Sequence, residues 1–511
     1  MSTMDETRRS GMISSWVAFA VACAGAAAMA LAFPKLNVAV LAPIGAAALF
    51  WAWFGLSPKR AFLVGWVAGV IYFSITFSWF GETAGKLIAP FGFFMTLGPA
   101  VGDAFFGFAL AALAIAYLRR RARPALVPLG AAGIFAFCEW LRSEGLGVLG
   151  VPFAGIGYSQ VQTPFAPLGA FVGTYGITFV IGVVGAYAAA ALRARLSNDS
   201  LVAMAAAYVL LACACAGAWL AWPARRAAPP SFPVAVVQGN IAQSVKFDPS
   251  AFPGALRRYT SLTLGLRATH TKLVVWPETV IIKALNLEPR LRKRFGDIAK
   301  LLDAELVVGS FDVVDQRLYN ALFFFNPNGA LDAIYQKRQL VPFAEQVPGR
   351  RFLGWIPWAK NASDASVGDS SGIVTIAGGM RVAPIICWES AFSGLNVGDV
   401  RDGATAIVIS TDDAWFGVTA GPYQHAQIAQ MRAIETGRWI VRSAATGISG
   451  IIDPQGRYVE KSALDVTTVV RGTIGQPVTT VYDAVGPKWV AFICLIFYGG
   501  ILAWPRRRNL R

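Results

Sequence analysis

The sequence has 511 residues, of which 55% are hydrophobic and only 14% are charged. Soluble domains carry about 25% charged residues, so this composition excludes a wholly water-soluble protein. The formal net charge of +16 would suit nucleic acid, but the basic residues flank hydrophobic segments and form no basic patch with aromatic residues, which argues against that partner.

Eight apolar stretches predict transmembrane segments, seven of them before residue 223 and one at the end of the sequence. They lie near 13–33, 36–55, 61–80, 89–118, 125–142, 166–192, 200–222 and 488–505. Each is close to the roughly 20 residues that cross a bilayer. The sequence therefore predicts a membrane α-helical bundle of about eight transmembrane helices.

Basic residues set the predicted orientation of this bundle. If every span is real, one side holds Arg8, Arg9, Lys59, Arg60, Arg119, Arg120, Arg121, Arg123, Arg193, Arg195, Arg506, Arg507, Arg508 and Arg511. The short loops on the other side hold only Lys35, Lys86 and Arg142. Because basic residues concentrate in cytoplasmic loops, we expect both termini in the cytoplasm and residues 223–487 outside it. Arg225 and Arg226 are a small violation of this pattern.

Two carboxylates, Asp103 and Glu139, fall inside or at the edge of predicted spans. Such residues often serve function. We favour the structural interpretation, in which they form a contact between helices or lie near the membrane interface.

The sequence pattern changes after residue 222. Residues 223–233 read as a linker rich in proline and arginine, and a region of short β-rich runs and amphipathic helices follows. Strands are predicted near 234–238, 273–276, 306–309, 321–326, 374–376, 382–387 and 406–410, and helices over 251–269, 288–303 and 422–437. This alternation indicates a layered α/β domain. The predicted domains are 1–222 for the seven-helix bundle, 223–233 for the linker, 234–486 for the α/β domain, and 487–511 for the eighth span with a basic cytoplasmic tail.

Cysteine and histidine usage limits the chemistry of the α/β domain. Of six cysteines, only Cys387 lies in this region, so it has no partner for a disulfide within the domain and is either inert or reactive. The two histidines, His270 and His425, give little material for a metal site, and His425 reads as structural. We predict neither a metal nor an organic cofactor.

Three predicted strand ends carry groups that fit together as a nucleophilic site. One strand runs into Glu278, another into Cys387, and a less regular one into Lys337. A thiolate is the nucleophile, Glu278 could take its proton if burial raises the pKa of this carboxyl, and Lys337 could hold the charge of a tetrahedral intermediate. Taken singly, each residue is more often a surface charge or a packed core cysteine.

The order of these groups carries a resemblance to known proteins. Glu278 in its Trp-Pro-Glu sequence, then Lys337, then Cys387 followed by Trp388 and Glu389, resembles the nitrilase superfamily, which uses a Glu-Lys-Cys triad. The whole chain is similar to the apolipoprotein N-acyltransferase family, with further matching stretches at 237–241, 340–343, 413–417 and 421–425. The resemblance implies an extracytoplasmic nitrilase-like αββα sandwich beside the helical bundle.

The resemblance also implies a ping-pong reaction. Cys387 attacks an acyl ester of a membrane phospholipid, and the thioester passes its acyl chain to the α-amine of the S-diacylglyceryl-cysteine of an apolipoprotein, the last step of lipoprotein maturation. Glu278 is the implied base and Lys337 the oxyanion stabiliser. Supporting roles fall to the Trp388 backbone N–H and to Glu345 and Glu389, whose alternative interpretation is a structural salt bridge. The implied enzyme is a monomer in the bacterial inner membrane, with its catalytic domain in the periplasm.

Several positions depart from the family pattern, and more than one function stays open. The departures are Phe247, Gln339, Ala344, Gln346, Trp388, Asp412 and Ala445. They leave room for a paralogue that acylates another amine. Two further hypotheses are a membrane-tethered amidase or hydrolase, and a channel, transporter or scaffold with a decayed outer domain. Residues 352–358 are interpreted either as an arm that dips into lipid or as a buried loop.

Overall fold

The computed structural model describes residues 3–87, 92–193, 198–222, 229–353 and 364–504. The chain divides into two compact units. The first unit is Met1–Leu146, Gly150–Ala221 and Val485–Arg511, and the second is Gly147–Leu149 and Trp222–Ala484.

In the part of the first unit that the structure describes, the long elements are helices joined by turns and short irregular segments. Before residue 222 its helices are α1 (Thr3–Ala30), α2 (Leu41–Gly55), α3 (Pro58–Thr76), α4 (Ser78–Leu87), α5 (Gly92–Ala104), α6 (Leu110–Arg121), α7 (Val127–Trp140), α8 (Gly169–Arg193) and α9 (Asn198–Ala221). Two π-helical turns, Phe105–Ala109 and Leu141–Gly145, continue α5 into α6 and extend α7.

Six helical segments among the described residues are long and apolar enough to cross a membrane: Pro58–Thr76, Thr96–Arg121, Pro124–Gly145, Ala166–Arg193, Met204–Ala221 and Val481–Ala503. Two shorter apolar segments, Ser15–Ala30 and Leu41–Gly55, cover the first two predicted spans. The predicted helical membrane bundle is therefore confirmed with about six candidate spans, and the number eight stays a prediction. Residues 88–91, at the start of the fourth predicted span, and the basic residues beyond 504 lie outside the described part.

A buried ion cluster accounts for both carboxylates of the predicted spans. Arg142 donates from Nη2 to Glu139 Oε1 at 2.8 Å, and its Nη1 lies 3.8 Å from Asp103 Oδ2. Nη1 also donates to the carbonyls of Val151 and Phe153. The expectation that Arg142 belongs to a loop was wrong, because the residue lies in a π-helical turn with no exposed surface. Asp103 and Glu139 thus take part in a contact between segments of the bundle, as the structural interpretation expected.

The second unit contains two β-sheets. The seven-stranded sheet holds β1 (Phe232–Gln238), β2 (Leu273–Val275), β3 (Ile281–Ala284), β4 (Glu305–Val314), β5 (Arg317–Phe325), β6 (Leu331–Gln336) and β13 (Thr468–Ile474), ordered β13-β1-β2-β4-β5-β6 with β3 beside β4. The six-stranded sheet holds β7 (Val374–Thr375), β8 (Arg381–Ile386), β9 (Ala406–Thr411), β10 (Trp439–Ala444), β11 (Gly450–Ile452) and β12 (Tyr458–Lys461), ordered β12-β11-β10-β9-β8-β7.

Parallel strands occupy the middle of each sheet. In one sheet β1, β2 and β4 run parallel, and in the other β8, β9 and β10 do. These strands are nearly continuous apolar runs because both of their faces are covered, as is usual for parallel sheets. The predicted hairpin at 374–387 is present, since Val374 pairs with Val382 in antiparallel β7 and β8.

Helices cover the outer face of each sheet. The helices of this unit are α10 (Gln243–Lys246), α11 (Phe252–Leu264), α12 (Pro289–Leu302), α13 (Arg350–Leu353), α14 (Ser393–Arg401) and α15 (Gly421–Thr436), and α16 (Val481–Ala503) follows the last strand. Of these, α11, α12, α14 and α15 pack on the sheets. Residues 354–363 lie outside the described part, so the interpretations of 352–358 stay untested beyond Phe352, which is exposed at the end of α13.

Three hydrophobic clusters define the layers of the second unit. Val275 and Val408 belong to the cluster that joins the facing surfaces of the two sheets. Phe295 of α12 packs against the outer face of the seven-stranded sheet, and Ala433 of α15 packs against that of the six-stranded sheet. The order helix, sheet, sheet, helix confirms the predicted αββα sandwich.

Candidate active site

The candidate residues follow the carboxyl ends of strands in both sheets. Glu278 lies three residues after β2, Lys337 directly after β6, and Cys387 directly after β8. Two hydroxyl groups join the sheets here, because Ser410 of β9 donates to the Trp276 carbonyl at 2.9 Å and Ser443 of β10 donates to the Val275 carbonyl at 3.0 Å. The ends of parallel strands are where side chains converge in α/β folds.

The Glu278 carboxylate accepts three hydrogen bonds. Its Oε1 accepts from Asn320 Nδ2 at 2.7 Å and from Lys337 Nζ at 3.2 Å, and its Oε2 accepts from the Asp412 backbone N–H at 2.8 Å. Glu278 is 5% exposed and Lys337 is 1% exposed. The predicted base is therefore fixed in position and almost inaccessible to solvent.

A second carboxylate, Glu345, holds the lysine from its other side. Lys337 Nζ lies 2.8 Å from Glu345 Oε2 and 2.9 Å from Oε1, and Asn320 Nδ2 donates to Glu345 Oε1 at 3.1 Å. The Val341 N–H also donates to Glu345 Oε2 at 2.9 Å. Glu345 and Asn320 thus position the ammonium between two carboxylates.

The charges around Glu278 decide its protonation. Burial raises its pKa, but the ammonium groups of Lys337 and Lys246, the Asn320 amide and the Asp412 N–H outweigh burial and lower the pKa below its usual value. The condition set in the sequence analysis, that burial raises this pKa toward neutrality, is therefore not met. Burial lowers the pKa of Lys337, yet Glu278 and Glu345 outweigh that effect and raise it, so Lys337 stays cationic.

Cys387 opens the 3₁₀ turn Cys387–Ala391 with a left-handed backbone, φ 49°, which non-glycine residues rarely adopt. Burial raises the pKa of its thiol well above the usual value, and the Glu278 charge adds to this. Lys337 and a hydrogen bond with Thr411 only partly offset these effects. These effects favour the thiol over the thiolate, so a nucleophilic role for Cys387 would call for a general base.

A buried chain of polar side chains contacts the backbone of Cys387. The Ser390 hydroxyl donates to the Cys387 carbonyl at 2.8 Å, and His425 Nε2 lies 3.2 Å from the same oxygen. His425 Nδ1 lies 2.9 Å from Asp413 Oδ1, and Arg442 donates to Asp413 Oδ2 at 2.7 Å.

The charges of this chain are balanced without a protonated histidine. Burial and Arg442 lower the pKa of His425, which keeps the imidazole neutral at pH 7. Burial raises the pKa of Asp413, but Arg442, His425 and Thr411 outweigh it and lower the pKa to about 2. The chain therefore supports the backbone of Cys387, in line with the structural interpretation of His425, while His270 lies exposed after α11.

The N-terminal and C-terminal parts of the chain each match a known protein family. Residues 25–187 match the sequence model of the apolipoprotein N-acyltransferase N-terminal domain, and residues 233–482 match that of carbon-nitrogen hydrolases. An apolipoprotein N-acyltransferase of Caulobacter vibrioides is 32% identical over 87% of this chain and 86% of its own length. One of Pseudomonas syringae pv. tomato is 31% identical over 94% of this chain and 96% of its own.

The chain belongs to the apolipoprotein N-acyltransferase family. The predicted acyltransferase class is thereby confirmed, and the hypothesis of a channel, transporter or scaffold is wrong. Among solved structures, Nit3 of Saccharomyces cerevisiae, a member of branch 10 of the nitrilase superfamily, matches with a TM-score of 0.39 and 18% identity over 52% of this chain and 94% of its own.

Several site groups of this N-acyltransferase were not predicted from the sequence. They are Lys246, Asn320, Asp413 and Arg442, all buried in the second unit. Asn320 and Arg442 lie inside β5 and β10, and no local sequence pattern separates them from other strand residues. Within the described part of the chain, no group of three or more His, Cys, Asp or Glu side chains is arranged to hold a metal ion.

The positions that depart from the family pattern lie in different surroundings. The Gln339 N–H donates to Glu389 Oε1 at 3.1 Å, whereas Ala344 and Gln346 belong to the turn that carries Glu345. The Ala445 carbonyl accepts from the Asn240 N–H at 3.1 Å. Asp412 contacts Glu278 directly, and Phe247 is 47% exposed.

Glu389 connects the turn that begins at Cys387 to the segment around Lys337 in this family member. Its carboxylate accepts from the Ile386 N–H at 2.7 Å, the Arg338 N–H at 2.6 Å and the Tyr335 hydroxyl at 2.8 Å. Glu389 has no exposed surface. It therefore joins the residues next to Cys387 to the residues next to Lys337.

We expect Glu389→Gln to lower the free energy of unfolding by about 2–4 kcal/mol, because an amide nitrogen would face backbone donors in a buried place. Acyl transfer should fall with the loss of alignment. Thermal unfolding in detergent measures the first effect. Glu460→Gln, on the exposed part of β12, is the matched control. Equal unfolding temperatures for the two variants would contradict the structural role of Glu389.

Proposed function

We propose that this enzyme moves a fatty acyl chain from a membrane phospholipid to the α-amine of an N-terminal S-diacylglyceryl-cysteine, through a thioester on Cys387. The observation that carries the proposal is the buried ion pair of Glu278 and Lys337, 3.2 Å apart, which lies with Cys387 where β2, β6 and β8 end. The membrane helices and the activity for which the relatives are named support lipid substrates.

The first half-reaction is an acyl transfer to sulfur. Glu278 takes the thiol proton while Sγ of Cys387 bonds to the ester carbonyl carbon. The Lys337 ammonium and the Trp388 N–H stabilise the negative charge on the carbonyl oxygen. The bond from carbon to the glycerol oxygen then breaks, Glu278 returns the proton to that oxygen, and a lysophospholipid leaves.

The second half-reaction transfers the acyl chain to nitrogen. The α-amine attacks the thioester carbon, the C–N bond forms and the C–S bond breaks. Glu278 accepts the proton of the attacking amine and passes it to the leaving sulfur, which restores the thiol. An α-amine with a pKa of about 7.7–8.0 is partly neutral at pH 7, so a weak base such as Glu278 suffices for this step, whereas water is a poorer nucleophile.

The domain assignment follows the same reasoning. Residues 234–486 are the catalytic domain, 1–222 are the membrane bundle, 223–233 link them, and 487–511 add the last span and the cytoplasmic tail. The distribution of basic residues supports cytoplasmic termini and a periplasmic catalytic domain in the inner membrane. The enzyme acts as a monomer on both lipid substrates.

The test is intact-mass measurement after incubation with phospholipid alone. We expect one acyl mass on the purified protein together with free lysophospholipid, and no adduct on Cys387→Ala. Cys213→Ala, which removes an exposed thiol in α9, is the control and should keep the adduct.

The acceptor step is tested by adding a diacylated peptide to the acyl-enzyme. The proposal expects loss of the adduct with formation of N-acylated peptide. Free fatty acid in its place would favour the membrane-tethered hydrolase, and acylation of other amines in preference to this peptide would favour the paralogue. An adduct that persists in Cys387→Ala would contradict the nucleophile.

A further inference from the structure

A second buried lysine lies next to Glu278. Lys246 ends α10, and its side chain is 5% exposed. Its Nζ lies within hydrogen-bond distance of three oxygen atoms: the Glu278 carbonyl at 3.1 Å, the Thr279 hydroxyl at 2.6 Å and Asp412 Oδ2 at 2.5 Å. An ammonium has three N–H donors, so each donor has one acceptor. A lysine is almost never buried unless it is paired in this way.

Two of these acceptors belong to a strained backbone segment. Thr279 has φ 45°, a left-handed conformation that is unfavourable for a β-branched residue. Such conformations are unfavourable and persist only where the surroundings hold them. By binding the Glu278 carbonyl and the Thr279 hydroxyl together, Lys246 holds the bend that directs the Glu278 side chain.

Asp412 contacts the base and the lysine with different atoms. Its backbone N–H donates to Glu278 Oε2 at 2.8 Å, and its carboxylate pairs with Lys246. The Asp412 side chain is 2% exposed. Its negative charge therefore acts on Glu278 at short range while it neutralises part of the Lys246 charge.

Two buried pairs, each of a lysine and a carboxylate, lie next to Glu278. The segment after β6 supplies Lys337 with its own carboxylate, Glu345. Lys246 from α10 has its own carboxylate, Asp412 after β9. Cys387, after β8, is the remaining neighbour, whereas Asp413 pairs with Arg442 and His425. Glu278 thus lies between two ammonium groups that are each partly neutralised.

We propose that Lys246 and Asp412 are a positioning pair for the base Glu278, and that their opposite charges set the pH range in which this base works. The inference rests on the proposed function, because it takes Glu278 as the base of acyl transfer. Neither side chain bonds to the reacting atoms. Lys246 fixes the backbone of the base, and Asp412 keeps the base from becoming too weak.

The charges predict opposite effects for the two single variants. Lys246→Met removes a positive charge, so Glu278 binds its proton more tightly and the acid limb of the rate profile moves to higher pH, by about one unit. Asp412→Asn removes a negative charge, so the acid limb moves to lower pH and the plateau rate falls about 3- to 10-fold, since the base is weaker. Lys246→Met/Asp412→Asn restores the charge balance, and its acid limb returns toward that of the unchanged enzyme.

The experiment follows formation of the acyl-enzyme by intact mass from about pH 3 to 9 with a phosphatidylethanolamine donor, using the full-length protein in detergent. The range extends below pH 4 because the pKa of Glu278 is already lowered. Asp297→Asn, which removes the same charge from an exposed pair with Lys293, is the control and should not move the limb. If Lys246→Met fails to fold, the nearly isosteric Asp412→Asn still tests the sign.

If the acid limb moves in the same direction in both single variants, or does not move in Asp412→Asn, the proposed role of the Lys246–Asp412 pair is wrong. This conclusion requires that the enzyme without substitutions forms the acyl adduct. If that enzyme forms no adduct, the proposed function itself is wrong, so the two failures can be told apart.

Discussion

Glu278→Gln is expected to lower the rate of acyl-enzyme formation by about 10²–10⁴-fold. The amide has nearly the same shape as the carboxylate but cannot take the thiol proton. Because the pKa of the Cys387 thiol is raised well above its usual value, very little thiolate exists without a base. The loss should therefore appear in the first half-reaction, before any amine is added.

The variant should still fold. Its amide oxygen can accept from Asn320 and Lys337, but its amide nitrogen then faces the Asp412 N–H, which costs about 1–3 kcal/mol. Glu305→Gln is the matched control, since Glu305 is a buried carboxyl at the start of β4 whose pKa burial and Asp332 raise to about 7. Intact-mass time courses of both variants give the rates. A Glu278→Gln rate within tenfold of the control would place the base elsewhere.

Lys337→Met is expected to cost both activity and stability. The ammonium lies between Glu278 and Glu345, 3.2 Å and 2.8 Å from their oxygens. Removing one partner of a buried pair typically costs about 3–5 kcal/mol, because an uncompensated charge stays buried. The loss of an oxyanion donor lowers the rate by a further factor of about 10²–10³.

The stability loss of Lys337→Met should depend on pH. Without the lysine, Glu278 and Glu345 repel each other, so the folded variant binds a proton more tightly than the unfolded chain does. A raised pKa in the folded state gives stability that is present at low pH and lost as pH rises through that pKa. The deficit against the unchanged enzyme should therefore be smallest near pH 4 and largest above pH 7.

Thermal unfolding in detergent across this pH range measures the effect. Lys293→Met is the control, because it removes an exposed lysine paired with Asp297, and such surface pairs are worth about 0–1 kcal/mol. A pH-independent deficit in Lys337→Met would mean that the two carboxylates do not face each other without the lysine.

Local sequence signals were enough to predict the helical bundle and the strand ends that carry Glu278 and Cys387. An apolar run of membrane length and a buried strand that stops at a polar residue are both visible within about 20 residues. β13 was missed because its partner β1 lies more than two hundred residues earlier in the chain, pairing Phe232 with Ile474, and no short pattern encodes such a distant pairing.

The electrostatics of the site could not be read from the sequence for the same reason. The pKa of Glu278 depends on Lys246, Lys337 and Asn320, which come from three separate elements. Burial alone predicted the wrong sign. Arg142 was similarly assigned to a loop, because only the folded chain brings it to Glu139 and Asp103.

The bond between the Cys387 carbonyl and the Ser390 hydroxyl has a consequence for the neighbouring amide. A peptide group is planar and trans, so the Cys387 carbonyl oxygen and the Trp388 amide hydrogen lie in one plane and point in opposite directions. The hydrogen bond from Ser390 to the Cys387 oxygen fixes this plane, and it therefore also fixes the direction of the Trp388 N–H. The N–H that we propose as the oxyanion donor is thus oriented before any lipid arrives, and a donor fixed in this way needs no reorganisation when the bond forms.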